Sequence, residues 1–234
     1  MRYLKPTAST LTISLAFVLS MSAADKMTNT LTAKEKAEGW RLLFDGKTTN
    51  GWRGFRQKTM PDGWKAVEGA LTRVGKAGDI VTVDEFGDFD VTIEWMIAPN
   101  ANSGIFYRVT EDEDEMWHTG PELQVIDNAY KEPLKPVQTA GANYDLHTPS
   151  RDATRPVGSW NETRVLVKGS HVEHWMNGVK VVEYELWSDD WQRRVQASKF
   201  APYPKYARAR RGHIGLQDHG DRVAFRNIKI RDIF

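Results

Sequence analysis

The sequence predicts an all-β fold, an antiparallel β-sandwich, and three observations carry that prediction. Short runs of alternating apolar and polar residues recur along the chain with turn residues between them. Asn177-Gly178 sits between two such runs, and an Asn-Gly pair in that setting is the strongest short-range hairpin signal. Neither an internal repeat nor a linker interrupts the 234 residues, so the strands are expected to form one domain, over residues 39–234.

The elements follow in order. Residues 1–24 read as a secretory signal peptide: Arg2 and Lys5 form a basic start, Leu11 to Ser20 an apolar run too short to span a bilayer, and Ser22 and Ala24 a small-residue cut site before Asp25. No cysteine follows the run, which argues against a lipid anchor, and the signal peptide leads to the expectation that the mature chain starts near Asp25 and works outside the cytoplasm. Residues 25–38 are a lead-in holding a short helix, with a Thr cap, charged helix formers and Gly39 as a stop. Strands are then expected in "WRLLFDG", "WKAVEGALTRV", "FDVTIEWMIA" (Phe89 to Ala98) and "GIFYRVT" (Gly104 to Thr110). A further one lies in "HTGPELQVIDN" (His118 to Asn128), where Leu123 and Val125 alternate with Glu122 and Gln124. Thr163 to Glu185 reads as three strands, with Gly169-Ser170 and Asn177-Gly178 as turns, and His213 to Ile233 as two more. Two long segments, Ala129 to Trp160 and Leu186 to Arg211, carry no strand signal. The second holds Phe200, Tyr203 and Tyr206 among basic residues and is expected to be a packed lid.

Composition narrows the function. A net charge of +1 gives no field to recruit nucleic acid. The absence of cysteine removes disulfides and thiolate metal sites. Nine tryptophans, seven tyrosines and nine phenylalanines supply core volume and also platforms on which a sugar ring can stack.

Five blocks carry a resemblance: "LLFDGKTTNGW", "ANSGIFYR", "TGPELQVIDN", "GSWNETRVLVKGSHVEHWMNG" and "GHIGLQDHGDRVAFRNIKI". In order and without a large gap from about Gly39 to Ile233, they resemble the 3-keto-disaccharide hydrolase family, formerly a domain of unknown function. The resemblance implies a concanavalin A-like jelly-roll sandwich of the lectin and glucanase type, and action on glycosides oxidised at C3. In such a sugar the ketone makes the C2 hydrogen acidic. A base removes it, an enolate forms, the C1 substituent leaves, and water can add back. The site needs a base near C2, a cation or donor at the C3 oxygen, and an acid at the leaving oxygen. It does not need the carboxylate pair of ordinary glycosidases.

Glu94, Arg108, Glu122 and Gln124 each lie on the polar side of an alternating strand, joined by Gln217. They converge if those strands are neighbours in the concave sheet. Glu122 is the leading candidate for the base, with Glu94 and His219 behind it; Gln124 stands where a glucanase strand of this fold would place a second acid. His118 precedes Glu122 and could line its rim. Asn102 and Tyr144 are candidates to hold the sugar, and Arg108 or Lys199 to hold the enolate oxygen. His147 belongs to the long loop; His171, His174 and His213 read as structural. The acidic run Glu111 to Glu115 lacks the Gly and Asn of a calcium loop, so no cofactor is expected, although a divalent ion such as calcium or zinc on the ketone would suit the chemistry. The expected partner is a 3-keto sugar, with no nucleic acid and, after signal cleavage, no membrane. The competing readings are a carbohydrate-binding module, which needs no base, and a conventional glycosidase, which needs two carboxyls and acts on unoxidised sugars.

Overall fold

The structure, a computed structural model, describes residues 28–233; the signal peptide expected over residues 1–24 lies outside them. Helix α1 (Ala33–Ala37) is closed by a capping box in which the Thr32 hydroxyl accepts from the Glu35 N–H and the Glu35 carboxylate accepts from the Thr32 N–H. Gly39 follows at φ +81°, a backbone conformation that ends the helix at little cost.

Thirteen strands follow among the described residues: β1 (Arg41–Leu42), β2 (Trp52–Gly54), β3 (Trp64–Val67), β4 (Ala70–Arg73), β5 (Ile80–Thr82), β6 (Phe89–Ile97), β7 (Asn102–Val109), β8 (Glu122–Ile126), β9 (Asn161–Lys168), β10 (His171–Met176), β11 (Val179–Glu185), β12 (His213–Leu216) and β13 (Val223–Asp232). All pairings are antiparallel. The larger sheet runs β11-β10-β9-β6-β13-β4-β3, with β1 also on β13; the smaller runs β2-β5-β12-β7-β8. This is the jelly-roll sandwich the sequence predicts. The inward-facing residues Ile93 and Trp95 of β6, Ile105 and Tyr107 of β7, Leu123 and Val125 of β8, and Ile214 and Leu216 of β12 are each no more than 1% exposed. Burying a large apolar side chain contributes about 1.5–3 kcal/mol, so this shared layer holds the two sheets together and fixes the register of β8.

Three features differ from the sequence reading. Strands β2 and β5 are three residues each and too short for an alternation to show. The segment expected to be a lid contains a second helix, α2 (Asp189–Gln196), capped by the Ser188 hydroxyl and buried through Trp191 and Val195. Strand β7 carries a bulge opposite β12: His213 pairs with Val109 and Gly215 with Phe106, and the extra residue Arg108 takes φ +51°. The bulge breaks the alternation, so Val109 rather than Arg108 follows Phe106 on the outer face.

Candidate active site

The site forms on the outer face of the smaller sheet. Register defines its floor. One row across the sheet is Val81, Gly215, Phe106 and Glu122, from β5, β12, β7 and β8. Beyond it Gln217, Gly104 and Gln124 form the next row, closed by the hydrogen bond from the Gln217 N–H to the Gly104 carbonyl at 3.1 Å, and Asp79 stands one residue before the paired Ile80 of β5. Ile80 points into the core, which turns Asp79 and Val81 outward. Two glycines in these rows make room for neighbouring side chains. A Cβ on Gly104 would lie 2.4 Å from Glu122 Oε1, and one on Gly215 2.5 Å from Met116 Sδ. The Glu122 carboxyl therefore leans across the sheet and rests over Gly104.

Glu122 is 4% exposed, and its carboxylate forms no hydrogen bond with any described residue. Burial pushes its pKa up to about 8; the ammonium of Lys199 pulls it down and the carboxylate of Asp79 adds to the rise. Asp79 is pushed up to about 7 for the same first reason, burial, opposed by the Asp218 N–H that donates to its Oδ1 at 2.8 Å. Gln124 Oε1 and Asn102 Oδ1 are buried without a donor among the described residues. Buried polar atoms are nearly always partnered, so these two amide oxygens mark unused acceptor capacity on β7 and β8, the strands that carry Gly104 and Glu122.

The wall comes from the loops. The backbone of residues 141–144 makes an added edge on β8: the Gln124 N–H donates to the Ala142 carbonyl and the Tyr144 N–H to the Glu122 carbonyl, which brings Tyr144 to the rim. The Lys199 ammonium lies 4.3 Å from the Tyr144 ring centroid, 4.6 Å from that of Trp117 and 5.2 Å from that of Phe200. Although Lys199 is exposed as a residue, this aromatic seat desolvates its ammonium and lowers its pKa, while Glu122 and Asp145 oppose the shift. His118 stacks on Tyr203 at 4.1 Å, beside Trp117.

Glu122, Gln124, Gln217, Asn102, Tyr144, Lys199 and His118 thus gather at or around one face. The expected convergence with Glu94 and Arg108 does not occur. Glu94 is on β6, in the other sheet, bonded to Arg226 Nε at 2.7 Å and Asn227 Nδ2 at 2.7 Å, in a separate cleft of about 230 Å³. Arg108, turned aside by the bulge, donates to Gly87 O, Gly169 O and Asp88 Oδ1. His219 stands exposed in the turn after β12 and makes no hydrogen bond with the described residues. Asp79 escaped the sequence reading because β5 has no alternation to announce it; its only signal was a lone acid before "IVTV".

His174 is buried between Tyr107 Oη at 2.9 Å and the Gly141 carbonyl at 3.1 Å, and burial drives its pKa down to about 3. The acidic run is tied to cations, Glu111 to Arg53, Asp114 to Arg56, and Asp112 and Glu113 to Lys205. His171, Glu173 and Glu183 bring ligand atoms within 4.8 Å of one another at the far edge of the larger sheet, but Lys180 Nζ occupies the group at 3.2 Å from Glu173 and 2.6 Å from Glu183.

Comparison with known proteins follows the same lines. A family model described as a 3-keto-alpha-glucoside-1,2-lyase-like domain matches residues 39–231. A Bacteroides thetaiotaomicron protein named 3-keto-disaccharide hydrolase is 31% identical over 253 residues, covering 94% of this chain and 86% of that protein. A Parabacteroides distasonis crystal structure described as a "putative glycosyl hydrolase" is 37% identical, with a TM-score of 0.82 over 88% of this chain and 100% of that one. A second so described from the same organism is 27% identical, with a TM-score of 0.65 over 83% of this chain and 99% of that one.

Proposed function

The chain belongs to the family of 3-keto-alpha-glucoside-1,2-lyase-like domains, and from that premise we propose that it is a carbohydrate-acting enzyme that cleaves the glycosidic bond of 3-keto-glycosides or 3-keto-disaccharides. The observation that carries this reading is the Glu122 carboxyl: buried, without a hydrogen-bond partner among the described residues, raised to about 8, and laid over a glycine floor. A carboxylate of that basicity is matched to proton abstraction near neutral pH, where an ordinary glutamate would be a weak base.

Glu122 takes the C2 proton of the sugar. The Lys199 ammonium, steered by its three rings, holds the oxygen at C3 as negative charge develops there. Gln124 and Asn102 accept from ring hydroxyls and set the ring over Gly104. The bond from C1 to the leaving oxygen then breaks, giving the unsaturated keto sugar; addition of water across C1 and C2 completes hydrolysis. These steps draw on side chains of β7 and β8 and on Lys199 from the loop after α2. Export belongs to the same reading: an enzyme released by cleavage before Asp25 would meet glycans outside the cytoplasm, and mass spectrometry of the host-made protein should find its N-terminus near that residue.

The test is to incubate the full chain with one glycoside in its native and its 3-keto form. Cleavage of the 3-keto form alone supports the proposal. Cleavage of the native form at a comparable rate would mark a conventional glycosidase, and saturable binding without turnover of either would mark a binding module.

A further inference from the structure

Elimination needs two proton transfers, and Glu122 supplies one. The leaving oxygen of an alkyl or sugar aglycone departs as an alkoxide unless an acid protonates it, so a second group must face the first across the ring. The row that contains Gly104 points to it. Glu122 Oε1 overlies Gly104, and from Gly104 the row runs to Gln217; one strand beyond, Asp79 precedes β5, two strand spacings or about 10 Å away. The two carboxyls thus belong to one sheet face, with Gln217 on the strand between them.

We propose that Asp79 is the general acid for the leaving group, on the same sheet face as Glu122 and beyond Gln217 from it; the inference rests on the elimination reading above and deepens it. Asp79 is held to the task by its surroundings. Its Oδ1 accepts from the Asp218 N–H at 2.8 Å, and Asp218 is fixed in turn by Arg73 Nε at 2.6 Å and by the Ala77 and Gly78 N–H groups at 2.9 and 2.8 Å. No described residue donates to its Oδ2, which is left for a proton and the substrate. Burial raises both carboxyls, Glu122 to about 8 and Asp79 to about 7, so both titrate near neutrality, where each can hold or yield a proton.

The protons balance. Glu122 takes the hydrogen from C2, and that C–H pair becomes the enolate. Collapse of the enolate re-forms the C3 carbonyl, makes the C1–C2 double bond and expels the C1 oxygen, which takes the proton of Asp79 and leaves as an alcohol. Water then adds at C1 as the Asp79 carboxylate removes its proton, and protonated Glu122 returns a proton to C2. Both side chains end as they began, and the net change is hydrolysis.

The experiment separates an acid from a structural residue by leaving group. The full chain and its Asp79→Asn variant are assayed on two 3-keto-glucosides, one with a 4-nitrophenyl group, which leaves without protonation, and one with a methyl group, which does not. The amide still accepts from Asp218, so folding should survive, and Asp79→Ser provides a second variant. Loss of an acid typically costs a rate factor of about 10² to 10⁴. Cleavage of the methyl compound should fall by that factor, cleavage of the nitrophenyl compound should stay within a few-fold, and Glu122→Gln should lose both. Equal loss on both substrates in the Asp79 variants, or loss on neither, overturns the assignment. A wild-type protein that cleaves neither 3-keto compound overturns the reading beneath it as well.

Discussion

Glu122 reaches its position only because residue 104 has no side chain. An added Cβ at Gly104 would stand 2.4 Å from Glu122 Oε1 and 2.9 Å from Phe106 Cε2. The first of these atoms is the end of a flexible chain and can move aside, so Gly104→Ala should fold, with a cost within the range of about 1–3 kcal/mol usual for small-to-large changes. What it removes is the carboxyl from the floor. Turnover of a 3-keto-glycoside should drop at least about tenfold while the melting temperature falls by only a few degrees; unchanged turnover would mean that the carboxyl's place over Gly104 is irrelevant. Glu122→Gln isolates the charge from the shape. Its amide keeps the volume, and the orphan oxygens of Gln124 and Asn102 still meet the sugar, so affinity should be retained while turnover falls by a factor of about 10² to 10⁴. Near-normal turnover in this variant would move the base elsewhere, to Asp79 before any other group, since Glu94 faces away in the other sheet.

At the level of elements, legibility followed the length of the pattern. Strand β8 was readable because Leu123 and Val125 alternate with Glu122 and Gln124 and a turn follows. The hairpins of β9, β10 and β11 were readable from Gly169 and Asn177-Gly178. Two strands of three residues gave no period, so Asp79, one residue before β5, stayed hidden. Arg108 misled for a local reason: alternation was carried through a bulge that no residue type announces. Helix α2 was legible in hindsight, through Ser188 as a cap, acids in the first turn, arginines in the last and Trp191 four residues before Val195. The segment after it packs, as its aromatics suggest: Phe200 and Tyr206 stack at 3.9 Å and are 1% and 2% exposed, the Ala207 N–H bonds the Thr119 carbonyl, and Lys205 is tied to Asp112 and Glu113. Lys199 leads this segment into the site. If Lys199 to Arg211 covers bound sugar, limited proteolysis should cut it more slowly when the Glu122→Gln protein is saturated with a 3-keto-glycoside. Identical cleavage with and without ligand would make the segment a fixed wall and not a lid.

The whole molecule carries two sets of buried titratable groups that pull its stability in opposite directions with pH. His174 and His147 have pKa values lowered by burial from 6.5 to about 3 and about 4. The unfolded chain binds protons there first, so the stability that comes from keeping them neutral is present above pH 6.5 and is lost as pH falls towards 4 and then 3. Glu122 and Asp79 run the other way, raised by burial from 4.5 to about 8 and from 3.8 to about 7. Their contribution is present below their unfolded values and is lost progressively as pH rises from there to about 8 and about 7, because the unfolded chain releases those protons while the folded protein still holds them. The melting temperature should therefore peak between about pH 5 and 7 and fall on both sides. The two limbs should respond to different variants. Glu122→Gln cannot ionise, so it should melt higher than wild type at about pH 9 and close to it at about pH 5. His174→Gln loses the contacts to Tyr107 and Gly141 and should melt lower throughout, but with a shallower fall below pH 6.5. Melting curves of the three proteins from about pH 4 to 9 make the comparison. An alkaline limb as steep in Glu122→Gln as in wild type would show that the site carboxyl is not the group whose ionisation the fold resists, and with it would go the basicity on which its role in proton abstraction depends.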